Sequence, residues 1–128
     1  MIGSIVVSVY HTCSSDEAEW IVKNSYTKII FLGNNPNDNG EKKKMPHYRI
    51  LPVLEKLDHI QDVVLMKNIE QSNHEKMVDW DKFIRYGSDI NESDIHDKLN
   101  NINVNDTASL IYTSGTVSYT HLTLPTKA

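Results

Sequence analysis

The sequence Leu110-Ile111-Tyr112-Thr113-Ser114-Gly115-Thr116 joins a short apolar run to a small turn rich in hydroxyl groups. The segment from Ala108 to Tyr112 is predicted to form a buried strand, and the four residues after it a loop. A glycine among small hydroxyl residues lets backbone N–H groups approach an anion closely, while the hydroxyls add donors. The stretch predicts a phosphate-binding loop at the end of a strand, although an ordinary polar turn has the same four-residue pattern.

Upstream of this stretch, predicted strands alternate with predicted helices. The β-branched run from Ile5 to Tyr10 is typical of a strand buried on both faces of a parallel sheet. Ser14 and Glu17 have the spacing of a capping box, which predicts a helix that continues to Asn24. A second strand is predicted from Lys28 to Leu32. This strand–helix–strand unit predicts a right-handed crossover onto a parallel sheet.

The remaining segments continue the alternation. In chain order they are an exposed loop over 34–45 that includes the solvated lysines 42–44, a helix over 48–57 with Pro52 in its first turn, a strand over 61–66, and two short helices over 80–86 and 92–100. The fold class expected from this order is α/β with a parallel sheet.

Composition excludes several classes of function. The chain has 128 residues, of which 39% are hydrophobic, so it is long enough for one domain with a core. Its net charge of −4 excludes the basic surface that nucleic-acid binders need. One cysteine excludes an internal disulfide and suits a reducing compartment. No apolar run reaches the roughly 18 residues of a membrane span, so a soluble, cytoplasmic protein is expected.

The stretch from Leu110 to Thr116 resembles the opening half of the phosphate-binding loop of adenylate-forming, or AMP-binding, enzymes. In that superfamily, which includes acyl-CoA synthetases, luciferases and peptide-synthetase adenylation domains, the loop reads Tyr-Thr-Ser-Gly-Thr-Thr-Gly-x-Pro-Lys-Gly. The segment from Gly3 to Ser25 resembles a segment of the long-chain acyl-CoA synthetases, with Ser8 where that group has proline. Val78 to Phe83 resembles the connector of the bubblegum-type fatty-acid ligases. The resemblance extends from Gly3 to Thr116.

The resemblance implies that residues 1–116 are part of the large N-terminal domain of such an enzyme, a mostly parallel sheet with flanking helices. It implies that Thr113, Ser114, Gly115 and Thr116 line the β- and γ-phosphates of ATP. The full-length enzyme would use ATP, Mg²⁺ and coenzyme A on a fatty acid, in the cytoplasm or at a membrane periphery. No catalytic residue or metal ligand is carried over to this chain, so the 128-residue chain alone is expected to be inactive.

The match to the family's loop ends after Thr116. Residues 117–128 resemble a peptide that arises when sequencing-adapter DNA is translated, and they are interpreted as a non-native tail. A native, hydroxyl-rich strand is the alternative, because Thr120, Leu122 and Leu124 alternate as strand residues do. For the chain as a whole, the alternative to a ligase fragment is a free-standing small α/β module that binds a nucleotide or a protein and catalyses nothing.

Other polar residues are weaker candidates for a site. His11 and Cys13 are spaced for a metal ion, but no third ligand is near them in the sequence. Asp58 beside His59 and the acidic residues around His96 could supply a general acid and base, although solvated surface positions explain them better. No Gly-x-Ser-x-Gly motif supports a serine nucleophile.

Overall fold

Strands and helices alternate through the part of the chain that the structure describes. This structure is a computed structural model, and it describes residues 3–10, 12–33, 46–66 and 74–113. The elements are β1 (Val6–Ser8), α1 (Ser15–Asn24), β2 (Ile29–Leu32), α2 (Pro46–Leu54), β3 (Asp62–Leu65), β4 (Met77–Asp79), α3 (Trp80–Arg85), α4 (Glu92–Asn100) and β5 (Ser109–Ile111). All the predicted strands and helices are confirmed, and β4 is an additional strand. The loop predicted over 34–45 lies outside the described residues.

The strands form two parallel sheets. One sheet has the order β2-β3-β4 and the other consists of β1 paired with β5. The α/β class with parallel sheets and flanking helices is therefore confirmed. The crossover predicted from β1 to β2 is wrong, because β1 pairs with β5 while β2 pairs with β3. Hydrophobic patterning identifies a strand but not its partner, since the main-chain hydrogen bonds of any two strands are equivalent.

Helix α1 begins and ends with specific backbone contacts. The Ser14 Oγ atom accepts a hydrogen bond from the Glu17 backbone N–H (3.2 Å), and the Ser14 backbone N–H donates to Glu17 Oε2 (2.7 Å). The predicted capping box is thus confirmed. At the other end, the N–H groups of Tyr26 and Thr27 donate to the carbonyls of Lys23 and Val22. Tyr26 has a φ of 51°, the left-handed position that glycine usually takes in this kind of helix end.

The core lies between α1, α2 and the sheet β2–β3–β4. Its fully buried side chains are Leu54, Leu57 and Val63, and Val64, the next residue of β3, is also fully buried. Pro52 lies near the end of α2, not in its first turn as predicted, because the helix begins at Pro46. A proline lacks the N–H that continues the helix ladder, and α2 ends soon afterwards at Leu54.

The sheet β1–β5 is covered far less. Val6 is 61% exposed and Ile111 is 73% exposed. The expectation that the first strand is buried on both faces is therefore wrong for the described residues, because α1 packs its Ala18 and Val22 into the core of the other sheet. Helix α4 has no buried residue. Among the described residues, no helix is long and apolar enough to cross a bilayer.

Candidate functional site

The candidate site lies at the edge of the β1–β5 sheet where both strands end. Because the strands are parallel and Ser8 is paired with Ile111, their carboxyl ends lie side by side. We call this the carboxyl edge. The chain leaves β5 through Tyr112 and the exposed Thr113. Ligands of parallel α/β sheets commonly bind at such an edge, and Thr113 lies there, directly after β5 and Tyr112.

Of the predicted loop, only the first residue can be placed. Ser114, Gly115 and Thr116 lie outside the described residues, as do residues 117–128. Their proposed contacts with phosphate therefore stay predictions. What the structure does give is the position from which the loop starts and the contacts that hold that position.

Helix α1 holds Tyr112, the residue immediately before Thr113. The Tyr112 hydroxyl donates a hydrogen bond to Asn24 Oδ1 over 2.7 Å, and the two residues are 88 positions apart in sequence. The Tyr112 ring makes an edge-to-face contact with Trp20, with ring centroids 5.6 Å apart. Trp20 and Asn24 are spaced i and i+4, so they share one face of α1. Trp20 and Asn24 were not identified as a pair from the sequence. Their spacing of four residues, away from the apolar face of the helix, was the signal that could have found them.

The amino end of α1 follows β1, but it is already occupied by an acidic side chain. The Glu17 carboxylate accepts the Ser14 backbone N–H, and this hydrogen bond is the main reason why the pKa of Glu17 is lowered. Asp16 adds a second carboxylate to the first turn. Two negative groups complement the helix dipole and disfavour a phosphate at this position. The loop after β5 therefore remains the candidate for phosphate contacts at the carboxyl edge.

The cysteine next to α1 has the properties of a packing residue. Cys13 is half-buried and packs against the core. Burial raises the pKa of its thiol, while the positive charge of Arg49 acts in the opposite direction. His11, the residue considered with Cys13 as a weak metal candidate, lies outside the described residues. Across the described ranges, no three His, Cys, Asp or Glu side chains come together as metal ligands.

The histidines considered as acid–base groups make local contacts. His59 Nε2 lies 3.2 Å from the carbonyl oxygen of Val22 and, because a carbonyl only accepts, the imidazole donates. This bond ties the segment after α2 to α1. His96 Nε2 lies 3.8 Å from Glu92 on the preceding turn of α4, and both side chains are exposed. These contacts support structural and surface roles.

A groove lies at the opposite end of the same sheet. It has a volume of about 310 Å³ and is lined by Gly3, Ser4, Ile102, Asn103, Val104, Asp106, Thr107 and Ala108. These residues precede β1 and β5, so we call it the amino-end groove. Its lining is mostly apolar. Because the groove lies at the amino ends of the two strands, a molecule bound there would not contact Thr113 at the other end. The fold and the chemistry of the loop both favour the carboxyl edge as the site.

The family assignment comes from comparison with known proteins. The model of the AMP-binding enzyme family matches residues 1–118, which include every described strand and helix. The chain belongs to the AMP-binding enzyme family. The family match includes both β5 and the four residues of the predicted phosphate loop.

The chain has low sequence identity to individual members of the AMP-binding family. The chain is 26% identical to a Xenopus laevis protein named long-chain-fatty-acid–CoA ligase ACSBG2, and 23% identical to the Gallus gallus protein of the same name. Each alignment covers 114 residues, or 89% of this chain and 14% of the relative. The chain thus spans about one seventh of the length of the curated relatives that it matches. No solved structure gives a significant match.

Proposed function

We propose that this chain is the part of a long-chain fatty-acid–CoA ligase that carries the start of the ATP-binding loop. Membership of the AMP-binding family and the names of its two relatives support the reaction class. The observation that carries the proposal is the parallel pairing of β1 with β5, which puts Thr113 at the carboxyl edge directly after a strand. The proposed substrates are a fatty acid, ATP and coenzyme A.

The proposed reaction has two steps. A carboxylate oxygen of the fatty acid attacks the α-phosphorus of ATP, which releases pyrophosphate and forms an acyl adenylate. The thiol of coenzyme A then attacks the acyl carbon, and AMP leaves. Thr113, Ser114, Gly115 and Thr116 would contact the β- and γ-phosphates in the first step. Their hydroxyl and backbone N–H donors would stabilise the negative charge that builds up on the departing pyrophosphate.

The magnesium ion of this reaction would neutralise phosphate charge. The described residues contain no cluster of three His, Cys, Asp or Glu side chains to hold it. We therefore assign no ligand of the ion to this part of the chain. The described residues instead supply a sheet edge and a helix that fix where the loop begins.

The proposal is tested with the protein encoded by the complete reading frame around this chain. The assay is fatty-acid-dependent exchange of labelled pyrophosphate into ATP, followed by acyl-CoA formation when coenzyme A is added. We expect both activities, and we expect neither from the 128-residue chain alone. A complete protein that purifies folded but shows no exchange with medium- or long-chain acids would contradict the proposal.

A pair of glycine variants connects the activity to the loop. In the complete protein, Gly115→Ala is expected to lower kcat/KM for ATP on the order of 100-fold, because a Cβ blocks close approach of backbone donors to phosphate. Gly87→Ala is the matched control. An added Cβ at Gly87 meets only the Ile84 carbonyl oxygen at 3.5 Å, an ordinary contact. Equal losses in both variants would contradict a role of the loop in binding ATP.

We also propose that residues 1–116 are a portion of the N-terminal AMP-binding domain and that residues 117–128 come from adapter sequence. Genomic DNA across the codons for Gly115 to Ser118 tests this. We expect the frame to continue with Thr-Gly-x-Pro-Lys-Gly after Thr116. A genomic stop codon after Ala128 would contradict it and favour a free-standing α/β binding module. The single cysteine suits the cytoplasmic location that we propose.

A further inference from the structure

At the exit of β5, the side chain of Tyr112 makes two contacts with another element, and both partners are on α1. One contact is the hydrogen bond to Asn24 Oδ1, and the other is the edge-to-face contact with Trp20. The next residue along the chain is Thr113, the first residue of the predicted loop. These two contacts therefore bear on the direction in which the chain enters the loop.

Helix α1 is itself anchored away from the β1–β5 sheet. Ala18 and Val22 are 5% and 3% exposed and belong to the core under β2–β3–β4. Lys56, just after α2, reaches Glu19 Oε2 over 3.3 Å and ties the exposed side of α1 to the α2 region. The amino end of the helix is fixed by its capping box. Tyr112 therefore contacts two side chains, Asn24 and Trp20, of a helix that is fixed to the main core.

We infer that Asn24 and Trp20 are positioning residues for ATP, which act through Tyr112 to set where Thr113 leaves the sheet. This inference rests on the proposed function, because it assumes that the loop after β5 binds ATP. Neither residue needs to touch the nucleotide. Their effect is to reduce the number of directions that the chain can take after Ile111, so that less conformational freedom is lost when phosphate binds.

The experiment uses the complete ligase and measures KM for ATP and for the fatty acid separately. Tyr112→Phe and Asn24→Ala each remove the same hydrogen bond. The loss of one such bond corresponds to about a fivefold change in an equilibrium. We expect KM for ATP to rise about fivefold in each variant and in the double variant alike. KM for the fatty acid should not change, because the role proposed for this loop is to hold the phosphates of ATP.

Three further variants separate positioning from general stability. Asn24→Asp keeps an acceptor oxygen for the Tyr112 hydroxyl, but it puts a negative charge at the carboxyl end of a helix. We expect it to lower the melting temperature slightly and to keep KM for ATP within about twofold of the wild type. Asn100→Ala is the matched control for Asn24→Ala, since Asn100 is the last residue of α4. Tyr86→Phe, at the end of α3, is the control for Tyr112→Phe. Both controls should leave KM for ATP unchanged.

Amide hydrogen exchange at Thr113 gives a readout that does not depend on catalysis. Exchange at this amide should be faster in Asn24→Ala and Tyr112→Phe than in the wild type or in Asn24→Asp. An active wild type whose variants keep KM for ATP unchanged, or raise both KM values equally, would overturn the positioning inference alone. A folded wild type with no pyrophosphate exchange would overturn the proposed function and this inference with it.

Discussion

The two parallel sheets have similar sequences but very different surroundings. In β3, Val63 and Val64 are fully buried, and Val63 packs in one cluster with residues of α1 and α2. In the β1–β5 pair, Val6 and Ile111 are 61% and 73% exposed, although they too are β-branched apolar residues. A β-branched run predicts that a strand forms, but its burial is decided by which helices pack on it. The first sheet therefore supplies stability, and the second supplies the edge from which the candidate loop starts.

This difference matters for function. The carboxyl edge of β1–β5 is held by strand pairing and by the contacts of Tyr112 with α1, not by a core of its own. Regions with few buried apolar contacts open locally at low free-energy cost. Helix α1 packs into the main core through Ala18 and Val22 and contacts Tyr112 through Trp20 and Asn24, so we infer that it connects the core to the start of the loop. The following changes test this division of roles in the 128-residue chain.

The largest effect is expected from a cavity in the main core. Leu57→Ala should lower the free energy of unfolding by about 3 kcal/mol, because a fully buried leucine leaves a cavity that its neighbours cannot fill. Val6→Ala is the comparison on the other sheet and should cost less than about 0.5 kcal/mol. Urea unfolding followed by circular dichroism measures both. Similar costs for the two substitutions would contradict the unequal roles of the sheets.

A smaller loss of stability is expected when the capping hydroxyl of α1 is removed. Ser14→Ala removes the hydroxyl that accepts the Glu17 N–H and should cost about 1 kcal/mol. Because α1 also holds Tyr112, amide exchange should become faster in β5 as well as in α1. The control is Ser88→Ala, which removes a hydroxyl bond to the Arg85 carbonyl near the end of α3. Faster exchange confined to α1 would show that the helix does not support β5.

A stabilising change is expected where α1 turns into β2. Tyr26 has a φ of 51° and is 77% exposed. Its left-handed backbone conformation is unfavourable for a residue with a side chain, and its exposed ring gains little packing energy. Tyr26→Gly should raise the free energy of unfolding by about 0.5 kcal/mol, because two effects oppose each other. Glycine removes the cost of holding a side-chain-bearing residue in the left-handed conformation, but it gives the unfolded chain more conformational entropy. Tyr86→Gly, at a cap residue with φ of −60°, should instead be destabilising. Thermal unfolding of both variants checks the contrast.

The last expected effect is a dependence on pH. The pKa of Glu17 is lowered, chiefly by the Ser14 backbone N–H, so its contribution to stability is present above the pKa of the unfolded chain. That contribution should be lost as the pH falls from about 4.3 through the lowered pKa. Glu17→Gln keeps a capping side chain but does not titrate, so its stability should fall less steeply with acid. Parallel acid profiles for the two proteins would contradict this role.

Local signals in the sequence predicted most of the fold. Ser14 and Glu17 marked the start of α1, and the apolar runs marked β2, β3 and β5. Strand β4 was missed because Met77–Asp79 is only 3 residues long and leads directly into a helix. Three residues are too few to show the alternation of apolar and polar residues that marks a strand. Strand partners were not predictable, and neither was the Asn24–Tyr112 bond, because both join residues that only the folded chain brings together. For the site, the sequence located Thr113 at a strand end, whereas the support from α1 needed the structure.

Two ends of the β1–β5 sheet could take a nucleotide, and we propose that it binds at the carboxyl edge and not in the amino-end groove. Amide hydrogen exchange of the complete protein, with and without ATP, tests it most directly. We expect slower exchange with ATP at residues 112–116 and no change over 102–108, the segment that supplies most of the groove lining. Protection at 102–108 with none at 112–116 would contradict it.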